Sequence, residues 1–481
     1  MTGMGPRART ERDFLGEVHI PRGAYWGVHT ARALENFPIS GTPLSTHAAL
    51  VAALGAVKQA AVRANRELGY IDDRRAEAID RACQDVRAGL LDDQFVVDVI
   101  QGGAGTSTNM NVNEVVANRA LEILGSSAGN YDEIHPLDHV NRSQSTNDVY
   151  PTAVRLSLLS AMQGLSTVVA RLAQACHEKS AEFWSVPKMG RTQLQDAVPM
   201  TVGQEFAAWA ATLVEEDARI RDARGLLSEI NLGATAIGTG ITADPAYRDV
   251  VCRHLRQITG LPVVTATNLI EATSDTGAFV QLSGVLKRTA LKVSKICNDL
   301  RLLSSGPQAG FGELRLPPRQ AGSSIMPGKV NPVIPEVVNQ VAFAVVGNDV
   351  TVTMAAEGGQ LQLNAFEPVI AHALLQGISW MTSAFEQLTT LCISGIEVNS
   401  DQLSATMARS VGVVTALTPY IGYTAAAEIA KAALGGVGDV RSLVLETGAL
   451  SEQALDDLLR PERLAGLAEH REVAVREHAT P

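Results

Sequence analysis

Apolar residues recur three or four positions apart through the middle of this chain, a spacing that predicts long helices rather than strands. In PTAVRLSLLSAMQGLSTVVARLAQAC the stripe is Leu158, Met162, Leu165, Val169 and Leu172. Pro151 at its head suits an early helical position, and the preceding SQSTND is rich in residues that cap helix N-termini. AFVQLSGVLKRTALKVSKICNDLRLLSS repeats the pattern through Phe279, Leu282, Leu286, Val293, Ile296, Leu300 and Leu303, with Lys287, Arg288 and Lys292 between. Three more segments behave alike: TVGQEFAAWAATLVEEDARIRDARGLLSEI, the run from Pro335 into VVNQVAFAVVGNDVTVTMAA, and the run from Pro368 through AHALLQGISWMTSAFEQLTTL. Helices this long, joined by polar loops, predict a mainly α fold built around a long helical bundle. Their stripes are broad and rich in Ala, Gly and Val, which suits close packing on several sides, other subunits included.

Three zones follow from this pattern. Residues 1–142 mix short helical patterns with turn-rich joins such as HIPRGAYWG; residues 143–400 hold the long helices; residues 401–481 have shorter helical patterns and end in the charged PERLAGLAEHREVAVREHATP. Composition narrows the class: 46% apolar and 19% charged residues over 481 positions read as soluble and globular. The 40 basic and 51 acidic residues leave a net charge of −11. Without a basic block, that argues against a nucleic-acid or anionic-membrane partner. An anionic ligand must therefore be drawn in by a local set of donors. The cysteines at 83, 176, 252, 297 and 392 are scattered and odd in number, as reduced buried thiols would be. The first residues lack the apolar stretch of a secretory signal, and no run approaches the roughly 18 uninterrupted apolar residues of a membrane span, so the expected location is the cytoplasm.

Four polar islands interrupt the apolar pattern: QGGAGTSTNMNVNE (Gln101–Glu114), NRSQSTNDVYP (Asn141–Pro151), KMGRTQLQDAVP (Lys188–Pro199) and GSSIMPGKVNPVIPE (Gly322–Glu336). Each offers hydroxyls and amides, and each sits where a helix is about to begin, where backbone N–H groups attract anions. Together with Lys329, and with Arg191 as a further cation, they would suit a small dianion. Singly, three of them have plainer readings. SQSTND is an N-cap, GAGTS a turn, and RTQ is equally unspecific. NLGATAIGTG (Asn231–Gly240) lacks a preceding β-branched strand and a phosphate-binding lysine, so it reads as a structural glycine loop. His135 and His139 are spaced as a metal pair, but Pro136 between them disfavours a helix and no third ligand is near, so no metal is expected.

The fourth island is different. GSSIMPGKVNPVIPE resembles the signature loop of the aspartase/fumarase superfamily, and the other islands match that superfamily's remaining blocks in order, over nearly the whole chain. Within it, KMGRTQLQDAVPM, INLGATAIGTG, ICNDLRLLSSGP, NPVIPEVVNQV, GNDVTVTMAAEGGQLQLN and FEPVI are similar to the aspartases, with fumarase as the alternative reading and a non-catalytic reuse of the scaffold as a third. The resemblance implies a three-domain, mainly helical fold whose central helices form a tetrameric core. It implies a small-molecule substrate, reversible elimination of ammonia from L-aspartate to give fumarate, no cofactor, and active sites shared between subunits.

Such a reaction removes a weakly acidic proton beside a carboxylate and builds an enediolate-like dianion, so preorganised donors matter more than a powerful base. By the resemblance, Ser323 is the general base on a loop freed by Gly322 and Gly328. Thr106, Ser145, Thr146 and Ser324 match the positions that hold the β-carboxylate. Thr192, Lys329 and Asn331 match those for the α-carboxylate; Asn147 and Gln193, with Thr106, match the ammonium site; Glu336 supports the site. Gln193 stands where many relatives have histidine. It can accept or donate a hydrogen bond but cannot titrate, which weakens the hydratase alternative.

Overall fold

The computed structural model describes residues 8–466. It is mainly helical, 62% of it, as the periodicity predicts. The tail past Gly466 and the first seven residues lie outside the described part. Five helices carry the predicted long stripes: Thr146–Glu182, Val202–Gly225, Gly277–Leu303, Val333–Glu357 and Glu367–Leu391. Leu158, Met162, Leu165, Val169 and Leu172 are all buried, as are all seven stripe residues from Phe279 to Leu303. The chain divides into two compact units. One comprises the chain up to Thr167 with Ala218–Ala290 and Val341–Thr382; the other comprises Val168–Asp217, Leu291–Gln340 and the chain from Ser383.

In the first unit, helix Ala48–Glu67 packs against Asp73–Arg87 and Tyr247–Thr259. It is buried nearly all round from Leu50 to Ala64, which its run of Ala and Val permits. Helix Thr106–Ile123 lies against Asp73–Arg87 and against a single π turn, Pro136–Val140. That turn corrects the expectation that Pro136 would prevent a helix. Pro stands at the first helical position, where its missing N–H costs nothing. His135 Nδ1 caps the turn by accepting from the N–H groups of Leu137 and Asp138 (3.1 and 3.2 Å), and His139 Nδ1 accepts from the His135 N–H (2.8 Å). The imidazoles are thus used by the turn itself, and no cluster of metal-ligating side chains occurs among the described residues.

In the second unit, the RTQ island forms a β-hairpin, Pro187–Thr192 with Gln195–Thr201. The hairpin is seated on the C-terminal helices. Met189 is buried with Val413, Leu417, Val444 and Leu455, and Ser410 Oγ donates to Asp196 at 2.8 Å. A methyl group at Gly412 would lie 2.6 Å from the Ala197 carbonyl, so the backbone there must be glycine. The C-terminal zone thereby holds up the segment that carries Thr192.

All five cysteines are buried and unpaired, as expected. Among the described residues, two helices, Thr146–Glu182 and Val333–Glu357, are long and apolar enough to cross a membrane by length and composition alone. The apolar stretch of the first is 67% buried within the protein, that of the second only 33%.

Candidate active site

The candidate residues fall into two sets, one per unit. Thr106, Ser145, Thr146 and Asn147 belong to the first unit; Thr192, Gln193, Ser323, Ser324, Lys329, Asn331 and Glu336 belong to the second.

In the first unit, two helix starts are fastened together. Thr106 opens helix Thr106–Ile123 after Gly103 and Gly105, both with left-handed backbone (φ 91° and 89°). A side chain on Gly105 would collide with the Tyr150 ring at 2.5 Å. Thr106 Oγ1 donates to the Gly103 carbonyl at 2.7 Å and is exposed. One turn on, Asn109 Nδ2 donates to Thr146 Oγ1 at 3.1 Å, which ties this helix to the start of Thr146–Glu182. Beneath both lies Lys58, fully buried in helix Ala48–Glu67. Its Nζ donates to Asn109 Oδ1 (2.7 Å), Asn141 Oδ1 (2.9 Å) and Gln144 Oε1 (2.9 Å). Burial pulls its ammonium down to about 7, against the opposing pull of Asp148. Asp148 is buried too, and burial pushes it up to about 6 although it accepts from the N–H groups of Ser145, Gly233 and Thr235. A buried cation and anion thus flank the polar segment Asn141–Asn147.

In the second unit, Thr192 and Gln193 stand exposed at the hairpin tip. Gln193 and Leu194, the central turn residues, both have left-handed backbone (φ 55° and 64°), the turn that suits a two-residue hairpin but strains side-chain-bearing residues. The strand behind them is clamped by charge. Lys188 Nζ donates to Glu205 at 2.7 Å and lies 3.0 Å from Glu313, while Arg191 Nη2 lies 2.6 Å from the other Glu313 oxygen. The Glu313 contacts are close ion pairs rather than well-aligned hydrogen bonds. The Arg191 guanidinium also stacks on Phe311, 4.4 Å from the ring centroid. Arg191 is therefore committed within the protein, which removes it from the expected donors to a dianion.

The signature loop is tied at its neck and open at its tip. The Gly322 N–H donates to the Lys329 carbonyl, and Asn331 Nδ2 donates to the Gly322 carbonyl, both at 2.8 Å. A methyl group at Gly322 would sit 2.4 Å from that Lys329 oxygen, so only glycine lets the two arms meet. Gly328 takes the left-handed conformation (φ 82°) near the tip. Ser323 Oγ accepts from the N–H groups of Ile325 (3.2 Å) and Met326 (3.0 Å). Donors aimed at a hydroxyl oxygen favour its deprotonated form. Ser324 and Lys329 are exposed, and Ile325 is 84% exposed at the tip. Glu336 falls in the first turn of helix Val333–Glu357.

Sequence reasoning did not single out Lys58, Asn109, Asp148 or Glu313. Lys58 had a visible signal: a lone lysine in AALVAALGAVKQAAV, with no polar face for it to occupy.

Comparisons with known proteins identify the family. The lyase family pattern matches residues 16–347, and the fumarase C C-terminal pattern matches residues 413–466. An aspartate ammonia-lyase of Pseudomonas fluorescens is 56% identical over 95% of this chain and 96% of its own length. One from Escherichia coli is 51% identical over 96% and 97%. Among solved structures, a fumarate lyase/delta crystallin from Brucella melitensis bound to cobalt has a TM-score of 0.93 at 55% identity, covering 95% of this chain and 99% of that one. A class II fumarase from Schistosoma mansoni has a TM-score of 0.90 at 35% identity, with the same coverage.

Proposed function

We propose, from the premise that this chain belongs to the lyase family of aspartases and fumarases, that it converts L-aspartate reversibly to fumarate and ammonia. The observation that carries this reading is the 56% identity to an aspartate ammonia-lyase along 95% of the chain, against 35% to the class II fumarase.

In the reaction, the deprotonated Ser323 Oγ takes a proton from the substrate's β-carbon. The electron pair moves into the β-carboxylate, where Thr106, Ser145, Thr146 and Ser324 donate to the two oxygens of the enediolate. The pair then returns to form the Cα=Cβ double bond while the Cα–N bond breaks, and the ammonium nitrogen leaves as neutral ammonia. Thr192, Lys329 and Asn331 hold the α-carboxylate; Asn147, Gln193 and Thr106 hold the nitrogen; Glu336 supports the loop. Uncharged donors suit this task because charge grows on oxygens that carboxylates would repel. Closure of the 322–331 loop over the substrate would exclude water and bring Ser323 to the β-carbon. The tied neck and exposed tip support that motion.

The two sets of residues come together, in this reading, between subunits of a homotetramer. Phe343, Val350 and Met354 on helix Val333–Glu357 are 65%, 60% and 62% exposed and lie along one side at helical spacing. A face of that kind calls for another helix to cover it. The zones 1–142, 143–400 and 401–481 would be the three domains of each subunit. The expected location is the cytoplasm. The experiment is direct: purified protein is given L-aspartate or L-malate, and fumarate is followed by ultraviolet absorbance. Fumarate from aspartate alone supports the reading; fumarate from malate alone makes the protein a hydratase; none from either removes the activity.

A further inference from the structure

The glycine loop Asn231–Gly240 has no part in the reaction as written, yet four hydrogen bonds fasten it to Asn147 and Asp148. One of the four answers Pro151, which sits inside helix Thr146–Glu182. In a helix the N–H of residue 151 would bond to the carbonyl of residue 147, and proline has none. Asn231 supplies the missing donor: its Nδ2 donates to the Asn147 carbonyl at 2.9 Å. The same nitrogen donates to Thr273 Oγ1 at 3.1 Å. Thr273 spends its own hydroxyl hydrogen on the Leu269 carbonyl (2.7 Å), so towards Asn231 it can only accept. Two acceptors on one side fix which end of the Asn231 amide faces Asn147. The other end, Oδ1, is buried without a hydrogen-bond partner. A buried polar atom left unpaired opposes stability, which calls for a functional reason.

The reason lies in what Asn147 presents. Its side-chain Nδ2 donates to the Ala236 carbonyl in the same loop at 2.7 Å. That bond turns the nitrogen end of the amide towards the loop and leaves Oδ1, an acceptor, at the opposite end. An acceptor suits an ammonium group, which only donates. We infer that Asn231 is the positioning residue that sets Asn147 Oδ1 for the substrate's ammonium group. It replaces a helical hydrogen bond that Pro151 removes and anchors the loop whose Ala236 carbonyl turns the Asn147 amide. This rests on the aspartase reading above.

The test runs the reaction in reverse, from fumarate and ammonium. Asn231→Ala should raise the KM for ammonium about tenfold, the usual worth of one hydrogen bond, and leave that for fumarate within about twofold. Pro151→Ala restores a backbone N–H opposite the Asn147 carbonyl, so Asn231→Ala/Pro151→Ala should recover most of the lost ammonium affinity. Residues that merely stabilise the fold would not give that selective shift. An unchanged ammonium KM, an equal rise in both KM values, or no recovery in the double variant overturns the inference. Should Asn231→Ala fail to fold, Thr273→Val removes one of the two acceptors that orient Asn231. It must then show the same ammonium-selective shift in smaller size, or the inference falls. A wild-type protein that does not aminate fumarate at all overturns the underlying reading and this inference with it; an active wild type with an unshifted Asn231→Ala overturns the inference alone.

Discussion

Glu313→Gln is the most informative perturbation of the framework around the candidate site. The wild-type carboxylate is 2% exposed and meets Lys188 at 3.0 Å and Arg191 at 2.6 Å. With Glu205 the cluster holds two cations and two anions; the amide leaves it with one uncompensated buried positive charge. Removing one partner of a buried pair costs about 3–5 kcal/mol. Lys188 keeps Glu205 at 2.7 Å and Arg191 keeps Phe311, so the lower end, about 3 kcal/mol, is expected. Over 481 residues, an unfolding entropy of about 2.1 cal/mol/K per residue gives about 1 kcal/mol/K for the whole chain. The transition should therefore fall by only about 3 °C, and the protein should remain folded at assay temperature. Activity should suffer far more. The clamp holds the strand ending at Thr192, next to two residues with strained backbone, and a misplacement of about 1 Å in a positioning group costs about 10²-fold in rate. Differential scanning calorimetry and the fumarate assay read the two effects. Glu205→Gln, which breaks only the Lys188 contact, should cost less in both. A Glu313→Gln protein with wild-type melting and wild-type turnover would refute the argument that this cluster fixes the hairpin.

Ser323→Ala should retain its fold and lose about 10²–10⁴-fold or more in turnover, as expected for loss of a general base; near-normal initial rates of fumarate formation would remove serine from that role. Mixing inactive Thr106→Ala and Lys329→Ala proteins under conditions of subunit exchange should restore activity, because some sites would then draw both intact sets; no recovery after exchange shown by mass spectrometry counts against shared sites. The third concerns pH. His47 is buried with its Nε2 2.9 Å from His372 Nδ1, and burial with that neighbour lowers it to about 4. Its folded pKa lies below the ordinary 6.5, so the folded state binds fewer protons than the unfolded one. Stability is intact above that value and is lost as pH falls from 6.5 towards 4. His47→Asn should flatten the melting temperature over that interval, and an unchanged acid slope would contradict the assignment.

The helices were legible because their stripes are local in sequence. All five appear, and the first begins at Thr146 rather than at Pro151, within the cap-rich SQSTND itself. The RTQ island misled because a two-residue turn with Gln and Leu in left-handed backbone lacks the Asn-Gly or Gly signal that marks such hairpins. Arg191 read as a free cation because Glu313, which neutralises it, is more than a hundred positions away. Asn231 and Asp148 were invisible for the same reason: their bonds join the glycine loop to a helix start some 80 residues earlier, and only the fold brings them together. The glycine loop read as structural, and structural it is, but the structure it makes is the seat of Asn147.

The central claim is that uncharged donors hold an enediolate dianion. It is tested most directly with an L-aspartate analogue carrying a nitro group in place of the β-carboxylate, whose ionised nitronate has the planar shape and the two negatively charged oxygens of that intermediate. The account predicts inhibition by the ionised form at least about 10²-fold tighter than substrate binding, tracking the fraction ionised as pH is varied. An ionised analogue that binds no better than L-aspartate would contradict it.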